Sequence, residues 1–321
     1  MPPGAGTGPH PRIEVVPERP EGLVCRLRGG SGEIVGTASV RDEPVWLIGG
    51  RRFWVYNADL PAEARGAEEA MFNAAFEALE GEYRSSRSGP IGLCVAVDDP
   101  DEMRRRPEAI WPEAELLYAG TLPDGRQLRI RYFWDATIGP GVPNSPSLEE
   151  TRGQEYPLDE RYLIVPLGES DDAGPEDVLA LWARESVVPE AEARRRVQEV
   201  QLVAIERQQG VVGVSTAYVR RSPRLRMDMW YYRTYVAPEH RYSNLSAQLI
   251  FETRDRLERR FVSGEDARAG GILFDLQNEG MRSYFNRALW LPANFTFIGE
   301  VERGGHLRVH YFPGARAPAP P

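Results

Sequence analysis

MWYYRTYVAPEHRYSNLSAQLI, residues 229 to 250, changes its period once and reads as three pieces. Trp, Tyr and Thr crowd the run that ends at Val236, the composition of a strand half-buried on a pleated surface. The stretch from Pro238 to Asn244 is polar and holds a proline, the chemistry of a turn. From Leu245 apolar residues return at helical spacing, through Leu249, Ile250, Thr253, Leu257 and Phe261. Strand, turn and long amphipathic helix follow one another directly.

The same order occurs earlier in the chain. FWVYNADLPAEAR (53 to 65) matches MWYYRTYVAPEHR (229 to 241), and IVGTASV (34 to 40) matches VVGVSTAYV (211 to 219). GRQLRIRYF (125 to 133) matches GGHLRVHYF (304 to 312), with Gly, Leu, Arg, Tyr and Phe at equivalent places. Between these blocks Met71, Phe72, Ala75, Phe76, Leu79 and Tyr83 repeat the helical stripe. Each helix precedes a short apolar strand, IGLCVAV (91 to 97) or GILFDLQ (271 to 277), then a second short helix and two β-rich runs. Blocks recurring in one order are the mark of an internal duplication.

The copies differ at their front ends. The second begins with a strand at YLIVPL (162 to 167) and two helical segments, PEDVLALWARE (175 to 185) and PEAEARRRVQEV (189 to 200). The first is expected to start directly at its GLVCRLRG strand, as a shortened copy. Residues 137 to 158 are rich in Gly, Pro, Ser and charge without an apolar period, which predicts a linker. The expected organisation is therefore a mobile end at 1–11, a domain at 12–136, the linker at 137–158, a domain at 159–313 and a mobile tail at 314–321.

Composition narrows the function classes. The chain has 321 residues, no apolar run of membrane-spanning length and no apolar centre in its first twelve residues, so a soluble cytoplasmic protein with no membrane partner is expected. Cys25 and Cys94 lie far apart inside apolar runs, which predicts core residues rather than a disulfide or metal site. The net charge of -9 is concentrated in residues 1–158, with 17 Arg against 25 acidic residues, whereas 159–321 holds 22 against 23. Such a field opposes a polyphosphate partner, and the Arg clusters at 104–106, 194–196, 220–226 and 254–260 are mostly interleaved with acids as solvated faces are.

The order β, α, α, β, β, β, α, β, α, β, β over residues 162 to 312 resembles the GNAT superfamily of N-acyltransferases. Val236, Pro238 and Arg241 fit the family's strand end and following basic residue. Asn244 and Ser246 stand where it has two small turn residues. The resemblance implies an α+β (α/β) fold of two tandem GNAT-like domains, each a mixed, mostly antiparallel sheet flanked by helices, the N-terminal copy degenerate. It further implies acetyl-CoA or another acyl-CoA as co-substrate, bound through Val236, Arg241, Tyr242, Ser243, Asn244, Leu245, Ser246 and Asn278. The physical basis is that the first N–H groups of a helix point along a positive dipole toward a pyrophosphate. In the first copy Glu68 and Glu69 stand at that place and would repel it, so no CoA is expected there.

A second segment, NEGMRSYFNRALW (278 to 290), resembles the family's Asn at a strand end followed by a helix carrying a Tyr. Phe285 holds the usual Tyr position and Tyr284 precedes it, rotated by about 100 degrees on a helix. Acyl transfer to an amine requires a base, an oxyanion donor and a proton for the leaving thiolate. Asp228 through water is the candidate base, and Tyr232 and Tyr284 are the candidate proton donors. His240, His306 and His310 read as ordinary surface or strand residues, and no metal site is expected.

The leading expectation is an acyl-CoA-dependent N-acyltransferase for a small amine or amino-acid-like acceptor. Alternatives are a GNAT-like transferase taking its acyl group from an aminoacyl-tRNA or carrier protein, and a catalytically silent acyl-CoA or ligand-binding module. The acidic charge weighs against tRNA, and oligomeric state is left open.

Overall fold

The computed structural model describes residues 11–139, 145–169, 171–241 and 243–319. The chain forms two compact units: unit 1 holds Met1–Pro140, Asn286–Ala288 and Ala317–Pro321, and unit 2 holds Gly141–Phe285 and Leu289–Arg316.

Unit 1 runs β1 (Arg12–Val15), β2 (Leu23–Arg28), β3 (Ile34–Val45), β4 (Arg51–Asp59), α1 (Glu68–Ser86), β5 (Gly92–Val97), α2 (Pro100–Arg105), β6 (Ile110–Trp111), β7 (Leu116–Thr121) and β8 (Gln127–Tyr132). These strands make one eight-stranded sheet in the order β1-β2-β3-β4-β5-β8-β7-β6. Its only parallel neighbours among the described residues are β4 and β5. All six apolar residues of the α1 stripe, Met71 to Tyr83, are buried. Phe72 meets Tyr56 edge-on at 5.2 Å, and Phe76 meets Phe133 at 5.3 Å.

After α3 (Leu148–Arg152), unit 2 continues with β9 (Tyr162–Pro166), α4 (Pro175–Arg184), α5 (Glu190–Arg196), β10 (Val200–Glu206), β11 (Gly210–Arg221), β12 (Asp228–Val236), α6 (Leu245–Val262), β13 (Gly271–Leu276), α7 (Glu279–Tyr284), β14 (Leu289–Trp290), β15 (Phe295–Glu300) and β16 (His306–Tyr311). The sheet order is β9-β10-β11-β12-β13-β16-β15-β14, the same as in unit 1. Here β12 and β13 are the parallel pair. Alternation sends Val203 and Val214 to the face covered by α4 and α5, and Val212 and Val236 to the face covered by α6. Leu249, Ile250, Thr253 and Leu257 of α6 are buried as the stripe requires, and Phe261 is half-buried.

Three features differ from the expectation. Unit 1 has a front strand after all, β1, paired along its whole length with β2. It is four residues long and half exposed at a sheet edge, too short to show a period. What unit 1 lacks is a counterpart of α4 and α5, since β1 and β2 are joined by a short connection. Within the stretch read as a linker, residues 148–152 form α3, capped reciprocally by Ser147 and Glu150. In the segment expected to be a mobile tail, Ala317 N donates to Pro107 O at 2.7 Å and Pro318 O accepts from Gln127 Nε2 at 2.9 Å. Residues 1–10 lie outside the described residues.

Candidate functional site

The site begins where a parallel pair ends. β12 and β13 are in register at Trp230 with Ile272 and at Tyr231 with Leu273, and nowhere beyond among the described residues. β12 continues to Val236 while paired on its other edge with β11. The sheet therefore opens between Tyr232–Val236 and Phe274–Leu276, leaving one edge of each strand without a neighbour.

At the far end of β12 stands the turn into α6. Asn244 has φ 60 and ψ 0, the left-handed region that Asn tolerates and most side chains avoid. Leu245 is fully buried against Tyr162, Val236 and Leu249, so it fixes the helix start onto the strand end, and only its backbone faces the turn. No acidic residue lies in the first turn of α6, while Arg259 and Arg260 lie in its last, a distribution that complements the helix dipole. Arg241 Nε donates to Val236 O at 3.1 Å, which ties the basic residue to the strand end. Ser243 Oγ donates to His240 O. Tyr242 lies outside the described residues.

His240 corrects the sequence reading of a surface residue. It is buried, with Nδ1 2.9 Å from Tyr162 Oη and its ring edge-on to Tyr162 at 5.7 Å. Pro238 turns the chain inward, so His240 anchors the turn to β9 and does not face solvent. His310 is likewise buried, 2.7 Å from Glu258 Oε2 and 2.8 Å from Asn294 O.

Of the candidate proton donors, Tyr232 is the first residue of β12 past the paired stretch, on the α6 face. It is 7% exposed, and its hydroxyl, near Thr234, makes no hydrogen bond of ordinary geometry among the described residues. Burial holds its phenol well above the usual range, so it stays protonated. Tyr284 is 40% exposed and edge-on to Phe285 at 5.0 Å, and Phe285 in turn contacts Trp290 at 5.0 Å. Asn278 spends its side-chain oxygen on capping α7, accepting from Met281 N at 2.9 Å. Asp228 is exposed at the opposite end of β12, roughly 26 Å of strand from Val236. The fold thus brings Tyr232, Tyr284 and the turn to the open part of the sheet and leaves Asp228 away from it.

One member of the site escaped the sequence reading. Tyr156, inside the stretch read as a linker, packs edge-on against Phe251 at 5.4 Å. Its carbonyl accepts from Gln248, and the Pro157 carbonyl accepts from Asn244 Nδ2 at 3.2 Å. This segment lies along the first turns of α6. Burial and the neighbouring Tyr284 push the Tyr156 phenol up. The only signal was an aromatic residue in an otherwise polar stretch. Phe251, Phe274, Trp290 and Phe295 complete an aromatic group, with Phe274 5.9 Å from Trp290 and 5.1 Å from Phe295.

Cys25 and Cys94 are free and buried, and burial pushes their thiols up to about 11 and about 12.

No protein-family model and no curated protein matches the sequence. Among solved structures the chain is similar in fold to a GNAT-family acetyltransferase from Streptococcus pneumoniae, at 14% identity over 47% of this chain and 99% of that one, with a TM-score of 0.35. It is also similar to a ribosomal-protein-S5-alanine acetyltransferase from Vibrio fischeri, at 12% identity over 49% and 97%, TM-score 0.35. A GCN5-related N-acetyltransferase from Kribbella flavida gives 16% identity over 48% and 99%, TM-score 0.34. Each of these matches spans about half of this chain, which carries two mixed eight-stranded sheets of one strand order.

Proposed function

We propose that unit 2 is an acyl-CoA-dependent N-acyltransferase, with acetyl-CoA or another acyl-CoA as donor and a small amine or amino-acid-like molecule as acceptor. The observation that carries this reading is the opening of the β12–β13 pair after Tyr231 and Leu273, with the left-handed turn at Asn244 beside it. The unpaired edge of β12 offers backbone N–H and C=O groups to the amides of an extended thioester, as a sheet edge does to an added strand. The first N–H groups of α6 would hold its pyrophosphate, an interaction worth up to about 2 kcal/mol, with Arg241 alongside.

The acceptor nitrogen attacks the thioester carbonyl carbon, a C–N bond forms, and the oxygen becomes an oxyanion near the backbone N–H groups at the end of β12. The C–S bond then breaks, and the thiolate takes a proton from Tyr232 or Tyr284. The acceptor's proton leaves through water, and a base role for Asp228 requires a relay along the strand.

Calorimetry with acetyl-CoA and longer acyl-CoAs tests the reading first. One-site binding at a hundredfold over Kd stabilises the protein by about 2.7 kcal/mol. No binding of any acyl-CoA would overturn the proposal. Free-thiol release with an amine panel tests transfer, and loss of the true proton donor as Tyr232→Phe or Tyr284→Phe lowers kcat by about a hundredfold. The aromatic group beside the opening favours a second reading, a silent binder, which binding without thiol release would select.

A further inference from the structure

Unit 1 has the same opening of its sheet, and there it is a cavity. Among the described residues β4 and β5 are in register only at Trp54 with Leu93 and at Val55 with Cys94. Beyond them lies a space of about 550 Å³. Its apolar lining includes Phe72, Val95, Trp111 and Leu116. Relative to the parallel pair, Val95 occupies the place of Phe274, and on the neighbouring strands Trp111 and Leu116 those of Trp290 and Phe295. Smaller side chains at two of these places leave room for a ligand of modest size.

The polar lining is acidic. Glu68, Asp98 and Glu102 line the cavity and make no ion pair among the described residues. Glu69 and Asp99 also line it but are matched by Arg106 at 3.6 Å and Arg105 at 3.8 Å. The Arg106 guanidinium is further held over the Trp111 ring at 4.2 Å and by Glu113 at 3.4 Å. With Arg65, the lining sets five carboxylates against three guanidiniums, and both Arg106 and Arg65 act on Glu68, so the cavity keeps an acidic excess. No group of three or more carboxylates among the described residues is placed to hold a metal ion.

A second observation is independent of the acids. Tyr56 lines the cavity, is 5% exposed, and its hydroxyl has no hydrogen-bond partner among the described residues. A buried hydroxyl without a partner costs stability unless something occupies the space beside it. Glu68 is near enough to act on that hydroxyl electrostatically.

We propose that this cavity is a binding site for a small organic ammonium ion, a primary or secondary amine with a short apolar body. The ammonium group takes the carboxylates of Glu68 and Glu102 and the Tyr56 oxygen as acceptors, and the apolar body lies against Phe72, Val95 and Trp111. An anionic nucleotide is repelled by the same acids, so the site differs in ligand class from the opening in unit 2.

The test is calorimetry on the full chain with phenethylamine and putrescine, and with coenzyme A as the anionic probe. An amine binds with one-to-one stoichiometry, and Glu68→Gln and Glu102→Gln each weaken it about tenfold. Tyr56→Phe weakens it a few-fold without lowering the melting temperature, because only an unpaired hydroxyl is removed, and Ala58→Trp abolishes binding by filling the space. Absence of amine binding at millimolar concentration, or amine affinity unchanged in both Gln variants, overturns the proposal. So does coenzyme A binding that Ala58→Trp removes, since that places the nucleotide here. Acyl-CoA binding by unit 2 is read separately, through Ser246→Glu, so failure of either proposal leaves the other standing.

Discussion

Units 1 and 2 share a skeleton down to single residues and differ in the few that face the opening of each sheet. Tyr56 and Tyr232 each follow the last paired residue of the parallel pair, each with a buried hydroxyl that makes no hydrogen bond of ordinary geometry among the described residues. Arg129 and Arg308 are each fully buried, and each bonds a carbonyl after the short second helix, Glu108 O at 3.0 Å and Phe285 O at 2.8 Å. Gly92 and Gly271 each lie where a Cβ would be 2.3 Å from a backbone oxygen of the neighbouring strand. Against this stand Val95 for Phe274, Leu116 for Phe295, and Glu68 and Glu69 in a helix turn whose counterpart has no acid. Duplication has kept what holds the sheet together and changed what a ligand would touch.

The comparison breaks most sharply at the buried arginines. Arg129→Met and Arg308→Met should each cost about 2–4 kcal/mol in denaturant unfolding, because each strands a buried carbonyl and removes a packed guanidinium. Arg129 lies 3.9 Å over the Trp111 ring as well, so a clearly smaller loss for it would separate the two roles. Gly92→Ala and Gly271→Ala should each cost about 1–3 kcal/mol, since the obstacle is backbone and the strands must shift. Unequal costs would show that one sheet is the more plastic.

A subtler exchange carries the acid of one copy to the other. Ser246→Glu should weaken acyl-CoA binding about tenfold while leaving unfolding unchanged or slightly raised, because an acid at a helix start suits the dipole but repels a pyrophosphate. Retained affinity would remove the turn from the site.

The smallest expected effect concerns Glu68. Burial, then the charge of Glu102, raises its carboxyl above the ordinary 4.5. A folded-state value above the unfolded one means that the folded chain holds more protons between the two, so stability falls as pH rises through that window. Glu68→Gln should therefore raise the melting temperature at pH 7 and lose that advantage below the unfolded value. The gain should be under about 1 kcal/mol, because the group is partly exposed and screened. A Gln variant less stable at pH 7 than the parent would show that Glu68 is paired in solution.

The duplicated fold was legible because it rests on local signals repeated at nearly constant spacing: the α1 and α6 stripes, and the Gly, Leu, Arg, Tyr and Phe of the last strands. β1 was not, since four edge residues carry no period. Tyr156 was not, because its place depends on Phe251 and Gln248, nearly a hundred residues away in the chain. That Asn244 sits in a turn was legible from residue type and place, whereas its left-handed geometry is visible only in the backbone. The cavity in unit 1 was invisible, because it is the difference between Val95 and Phe274 seen across a sheet, which pattern alone does not measure. The place of Asp228 was not legible, because alternation along β12 puts a side chain on a face but says nothing of its distance from the strand end.

The identical strand order of the two sheets also bears on how the chain reaches its native state. Each closing hairpin, β7–β8 or β15–β16, must add to its sheet beside β5 or β13, after a crossover through a long helix. During refolding each hairpin meets two acceptors of nearly the same shape, and exchange between repeats is a characteristic misassembly of duplicated chains. The residues that differ between the copies then have a second effect. Phe274 lies on the acceptor strand and Phe295 on the hairpin, so an exchanged hairpin sets Phe295 against Val95 or Leu116 against Phe274 and loses the native ring contact at 5.1 Å, which favours each hairpin's own sheet.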